Sequence, residues 1–160
     1  EQMYKVISGQ EEAEYRKTAF PILEWGYTLK PMSNLDISRE LDAVAMLEYE
    51  RVFDNVSQAI RIHNGILRVC PFKDFNQVIA RAAMVYYLMS REMPLASFEL
   101  KEEEYNEILS KELKQPKIIK KSQSGRKYDE DEIEVSELYE PLAKGILDTL
   151  NLIDNLTSVY

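Results

Sequence analysis

The chain has 160 residues, 45% of them apolar, with 20 Lys and Arg against 28 Asp and Glu for a net charge of -8. That length suits one domain with a sizeable core, and the acidic balance disfavours bulk attraction to nucleic acid or an anionic membrane. A single cysteine rules out an intrachain disulfide, and one Cys with one His is too little for a Cys/His metal cage.

In chain order, "EEAEYRKTAFPIL" carries helical periodicity that Pro21 breaks. "EWGYTLKPMSN" has aromatic and β-branched residues before Pro31, Ser33 and Asn34, and reads as a short extended hairpin or loop. The block from Leu35 to Val69 is the main helical stretch, with Asp36 or Ser38 as its cap and a break into two helices near Phe53 to Ser57. Pro71 stops it. The helix over "FNQVIARAAMVYYLMSRE" is apolar nearly all round, the pattern of a central, buried helix. "MPLASFEL" is an extended connector, and "KEEEYNEILSKEL" a short helix with Tyr105, Ile108 and Leu109 inward. A basic tract, Lys111 to Lys127, and an acidic one, Asp129 to Glu134, read as a solvated loop. "VSELYEPLAKGILDTLNLIDNL" is the final helix, with Ser136 as cap and Pro141 in the first turn. The expectation is an all-α domain over 1–160 with one small extended element.

No apolar run approaches roughly 18 residues, so no membrane span is expected, and no signal peptide is legible. A cytoplasmic protein is the expectation. The chain starts at Glu1, which leaves it open to being part of a longer one.

Chemistry concentrates in "CPFKDFNQVIAR", Cys70 to Arg81. A helix starting there aims free N–H groups at the loop, a ready anion site. Asp74 is a candidate ligand for a divalent cation, Asn76 for a substrate oxygen, Arg81 for a terminal phosphate, and Cys70 for a nucleophile or weak base. Each also has a plain structural reading: Cys70 as a small buried apolar residue, Asp74 and Asn76 as caps, Arg81 as a structural cation. His63 reads as a satisfied structural histidine.

"IHNGILRVCPFKDFNQVIAR" resembles the pattern L-H-x-x-L-x-x-I-H-P-F-x-D-G-N-G-R-x-x-R of the Fic domain family. The likeness is strongest over Ile60 to Leu113. It takes in the following apolar helix, and Tyr105 stands where the family often has a paired-tyrosine helix. "WGYTLKPM" lies where the family keeps its flap hairpin. The resemblance implies a helical bundle in which a loop histidine takes a proton from a target hydroxyl. That hydroxyl attacks the α-phosphate of ATP, and AMP passes to a protein. Pro71, Phe72, Asp74, Asn76 and Arg81 match. Of these, the resemblance implies nucleotide binding by Phe72, Asp74, Asn76 and Arg81, with Mg²⁺ at Asp74.

The family's base histidine is Cys70 here, its glycines are Phe75 and Gln77, and its first arginine is Val78. A thiol with a pKa near 8.5 is mostly protonated at neutral pH, and Phe75 does not easily adopt the positive φ that a glycine permits. The resemblance therefore implies a degenerate member without efficient AMP transfer, serving protein interaction or regulation through the groove beside the flap. One alternative is an ATP- and Mg²⁺-dependent transferase using Cys70 as catalytic residue. Another is a structural helical domain.

Overall fold

The computed structural model describes residues 1–22, 27–29, 31–49, 53–96, 98–114 and 135–157. Six α-helices and one two-stranded hairpin make up the regular structure of these residues, in the order α1 (Gln2–Ser8), β1 (Phe20–Ile22), β2 (Tyr27–Leu29), α2 (Asn34–Met46), α3 (Asn55–Val69), α4 (Asn76–Ser90), α5 (Glu102–Lys114) and α6 (Tyr139–Thr157). The fold is all-α, and one contiguous core runs from Tyr4 to Ile146. Among the described residues no helix is long and apolar enough to cross a membrane.

The first helix arises earlier than its sequence suggests. Gly9, at φ 69°, ends α1 in the left-handed conformation that glycine adopts without steric cost. The stretch expected to be helical, from Glu11 on, instead runs in irregular and extended form to β1. Ala13 and Tyr15 pack on the core and Arg16 is buried, while Glu14 is exposed. The backbone N–H of Arg16 donates to the Pro71 carbonyl at 2.8 Å. A tertiary hydrogen bond takes the group an α-helix would have used.

β1 and β2 pair antiparallel, Phe20 with Leu29 and Ile22 with Tyr27. The hairpin thus begins upstream of "EWGYTLKPMSN", and its turn, with Trp25, lies outside the described residues. Most of the basic tract and all of the acidic one also lie outside them.

Ser33, not Asp36 or Ser38, caps α2: its hydroxyl accepts from the Asp36 N–H at 3.1 Å and donates to the Asp36 carboxylate at 2.6 Å. A 3₁₀ turn, Leu47–Tyr49, follows α2, and α3 starts afresh at Asn55. The Asp54 carboxylate caps it by accepting from the N–H groups of Val56 and Ser57 at 2.9 and 3.0 Å. Partial burial works to raise the Asp54 pKa, and the bonds from Ser57 and Val56 outweigh it, leaving the carboxyl below its ordinary value.

The central helix is α3 rather than α4. Ten α3 residues are buried, among them Ile60, His63 and Leu67, and α2, α4, α5 and α6 all pack on it. Helix α4 buries one stripe, Asn76, Ile79, Ala80, Met84, Tyr87 and Leu88, and leaves Val78, Tyr86 and Met89 exposed. Gly65 lets α2 and α3 approach closely: a Cβ there would lie 2.8 Å from Val44 Cγ2. Tyr105 and Leu109 of α5 are buried and Ile108 is half-buried, as their spacing indicates.

Candidate functional site

The loop between α3 and α4 is bracketed by two left-handed residues that are not glycine. Cys70, at φ 45°, ends α3, and Phe75, at φ 59°, precedes α4. Each costs on the order of 1–2 kcal/mol relative to a right-handed residue, so other contacts must hold the loop. Phe75 thus adopts the backbone conformation expected only of a glycine at that position. Its ring stands edge-on to Tyr4, with centroids 6.4 Å apart.

Those contacts use the groups expected to meet a nucleotide. The Asn76 side chain donates to the Phe72 carbonyl at 2.8 Å and accepts from the Phe72 N–H at 3.0 Å. Asn76 is buried, and its amide turns back into the loop instead of outward. Phe72 is buried and stacks on Tyr4, with centroids 4.1 Å apart and planes at 18°. The Tyr4 hydroxyl donates to Asp74 at 3.0 Å, so α1 clasps the loop from outside. Asp74 is exposed beside a depression of about 360 Å³ rimmed by Glu12, Glu14 and Lys73.

Cys70 is 2% exposed. Burial pushes its thiol up to about 11, against the opposing pull of the Arg16 guanidinium. Arg16, itself buried, donates from Nε to the Cys70 carbonyl at 2.8 Å and from a terminal nitrogen to the Val69 carbonyl at 3.3 Å. A cation on the last carbonyls of α3 complements the helix dipole there.

Arg81 turns toward α5. Its guanidinium lies over the Tyr105 ring, 4.3 Å from the centroid. Beneath it a polar relay crosses the core. The Tyr105 hydroxyl is 2.7 Å from His63 Nε2, and His63 Nδ1 is 2.8 Å from Asn64 Oδ1. Asn64 donates its amide to Glu112 at 2.7 Å, which leaves Oδ1 as an acceptor. His63 Nδ1 therefore carries the proton, and Nε2 accepts from Tyr105. Glu112 also accepts from the Ser136 hydroxyl at 2.7 Å and the Glu137 N–H at 2.8 Å, anchoring the start of α6. Burial lowers the His63 pKa to about 4; nearby Arg81 adds to that, and the Asn64 bond opposes it. Burial pushes the Tyr105 phenol up, so it stays a donor.

The structure gathers Phe72, Asp74 and Asn76 into one tight turn, while Arg81 contacts α5. The fit to Mg-ATP is poor. Asp74 is exposed and bonded by Tyr4, with Glu12 and Glu14 on the same rim adding negative charge where phosphates would lie, the Asn76 amide is engaged, and Val78 is uncharged. Among the described residues no group of three or more His, Cys, Asp or Glu is arranged for a metal ion. Sequence reasoning missed Tyr4 and Arg16, whose burial depends on segments some 54 to 70 residues away. An arginine flanked by Tyr15 and Lys17 carries no periodic signal for it.

A larger cavity, about 510 Å³, lies between α2, α3 and the start of α6. Met32, Val44, Leu47, Phe53, Ile60 and Tyr139 give it mainly apolar walls, and Arg61, Arg68 and Glu40 supply charge. That volume is in the range of small-ligand pockets.

The chain was compared with protein-family models, with curated proteins and with solved structures, and none of the three gave a match.

Proposed function

We propose that this chain is a degenerate Fic-like module without efficient AMP transfer, and that it acts in protein interaction or regulation through the groove between α2, α3 and α6. The carrying observation is Cys70. At the position of the resembled family's base it is buried and held near pKa 11, so at neutral pH it supplies neither a thiolate nor an accessible proton acceptor. The Asn76 amide, turned into the Phe72 backbone, supports the same reading. The groove has the volume and apolar lining to receive side chains of a partner, and Met32, three residues after strand β2 in the chain, lines it.

The test has two arms. Purified chain with Mg²⁺ and labelled ATP should transfer no label to itself or to added protein, and calorimetric titration with ATP should give no heat of binding. A photo-crosslinking residue at Ala43, exposed on the groove wall, should form adducts that are absent when it is placed at exposed Lys5. Label transfer that Cys70→Ala abolishes would overturn the reading in favour of an enzyme.

A further inference from the structure

We propose that the groove between α2, α3 and the start of α6 is a binding site for a small apolar monocarboxylate. The inference rests on the groove reading above and deepens it, because a ligand seated there competes with the side chains of a protein partner.

One face of α3 forms a wall of the groove. Arg61, Asn64, Gly65 and Arg68 follow at steps of three, one and three, and all of them line it. The polar groups on this face are donors. Each guanidinium has only N–H groups to offer. Arg61 donates to Gln58 Oε1 at 3.2 Å and lies over the Phe53 ring, 4.1 Å from its centroid. Arg68 donates to the Glu112 carbonyl at 3.5 Å. Asn64 is 4% exposed. Its amide nitrogen bears two hydrogens, of which Glu112 takes one, and its oxygen serves His63. A second N–H remains on a buried side chain that lines the groove. The Glu112 acceptors on the same wall are engaged: one oxygen accepts from Asn64, the other from the Ser136 hydroxyl and the Glu137 N–H. Glu40, on α2, is exposed, so solvent and salt screen it.

Charge and lining together select the occupant. Two guanidinium groups and an amide N–H on one helical face bind a carboxylate in preference to a hydroxyl or an amine. A wholly apolar occupant would press hydrocarbon against those donors and leave the Asn64 N–H unpaired, which disfavours it. Met32, Val44, Leu47, Ile60 and Tyr139 cover an apolar body. Glu40 and Glu112 in the same lining oppose a second negative charge, so a monoanion suits the site better than a phosphate ester or a dicarboxylate. At about 510 Å³ the cavity has room for a fatty acid of medium chain length or a fused-ring aromatic acid.

Calorimetric titration of the whole chain with monomeric decanoate should give one site per chain, and decanol and decylamine should bind roughly tenfold more weakly. Arg61→Gln and Arg68→Gln should each weaken decanoate roughly tenfold and leave decanol unchanged. Val135→Trp, which narrows the groove from an exposed position and so spares the fold, should weaken all three ligands. Circular dichroism checks each variant. Adducts from the photo-crosslinking residue at Ala43 should fall as decanoate is added. No decanoate binding, equal binding of decanoate and decanol, or binding untouched by Arg61→Gln and Val135→Trp would overturn the proposal. Ala43 adducts formed by a chain that does not bind decanoate would leave the groove reading standing alone. Decanoate binding without any adducts would support this site and overturn the protein reading. Decanoate binding that appears only after Glu132→Gln with Glu134→Gln would overturn the proposal and assign the donors to the chain's own acidic residues.

Discussion

Acidification should destabilise this fold through one imidazole. His63 is the only histidine in the chain, so no other side chain at its ordinary pKa titrates between about pH 5 and pH 8. In the fold it is neutral, with a pKa lowered from 6.5 to about 4. The unfolded chain therefore binds one proton more than the folded chain between those two values. Stability from this group is fully present above pH 6.5 and is lost as the pH falls toward about 4. A one-proton difference changes stability by about 1.36 kcal/mol for each pH step of one, so the loss between pH 7 and pH 5 is roughly 2 kcal/mol. Urea unfolding followed by circular dichroism at half-unit pH steps measures it. His63→Gln, which keeps a polar side chain without a titrating ring, should remove most of that slope while lowering stability at neutral pH. A wild-type stability that is level from pH 7 to pH 5, or a slope unchanged in His63→Gln, would refute the reasoning.

Arg16→Met should cost roughly 2–4 kcal/mol in urea unfolding, because the carbonyls of Val69 and Cys70 lose a buried cationic donor. Gly65→Ala should lower Tm by a few degrees despite alanine's better helix propensity, since the new methyl meets a stiff Val44. Adding Val44→Ala should make the pair less than additive, and a Tm raised by Gly65→Ala alone would contradict the close approach. The Cys70 thiol should react with a disulfide reagent on the order of 100-fold more slowly in the folded chain than in urea. A pKa raised from 9.0 to about 11 removes that much thiolate before access is counted. Equal rates in the two states would place the thiol at the surface.

The all-α class and the two-helix break were legible because Leu41, Val44, Leu47, Val52, Val56 and Ile60 repeat at helical spacing. Which helix is central was not. Helix α4 has the more apolar text, yet Val78, Tyr86 and Met89 face outward, and α3 hides its central place behind Gln58, His63 and Asn64. Composition cannot separate an apolar helix with one covered face from a mixed helix whose buried Gln, His and Asn side chains find partners. Gln58 does so by donating to the Leu47 carbonyl, and His63 and Asn64 by joining the relay. At the loop, the residue types resembling a nucleotide site were legible, but their bonds were not. Asn76 satisfies a turn as readily as a ligand, and only the fold shows the turn closing on itself.

The relay from Tyr105 to Ser136 joins groups far apart along the chain. Tyr105 to His63 spans 42 residues, Asn64 to Glu112 spans 48, and Ser136 to Glu112 spans 24. Contacts with such separations form only after the entropy of closing long loops has been overcome, so they belong to the last stage of assembly. Cutting the relay, as Tyr105→Phe or Asn64→Ala would, should leave the refolding rate nearly unchanged and accelerate unfolding. Bonds of this kind act chiefly on how long a folded molecule persists.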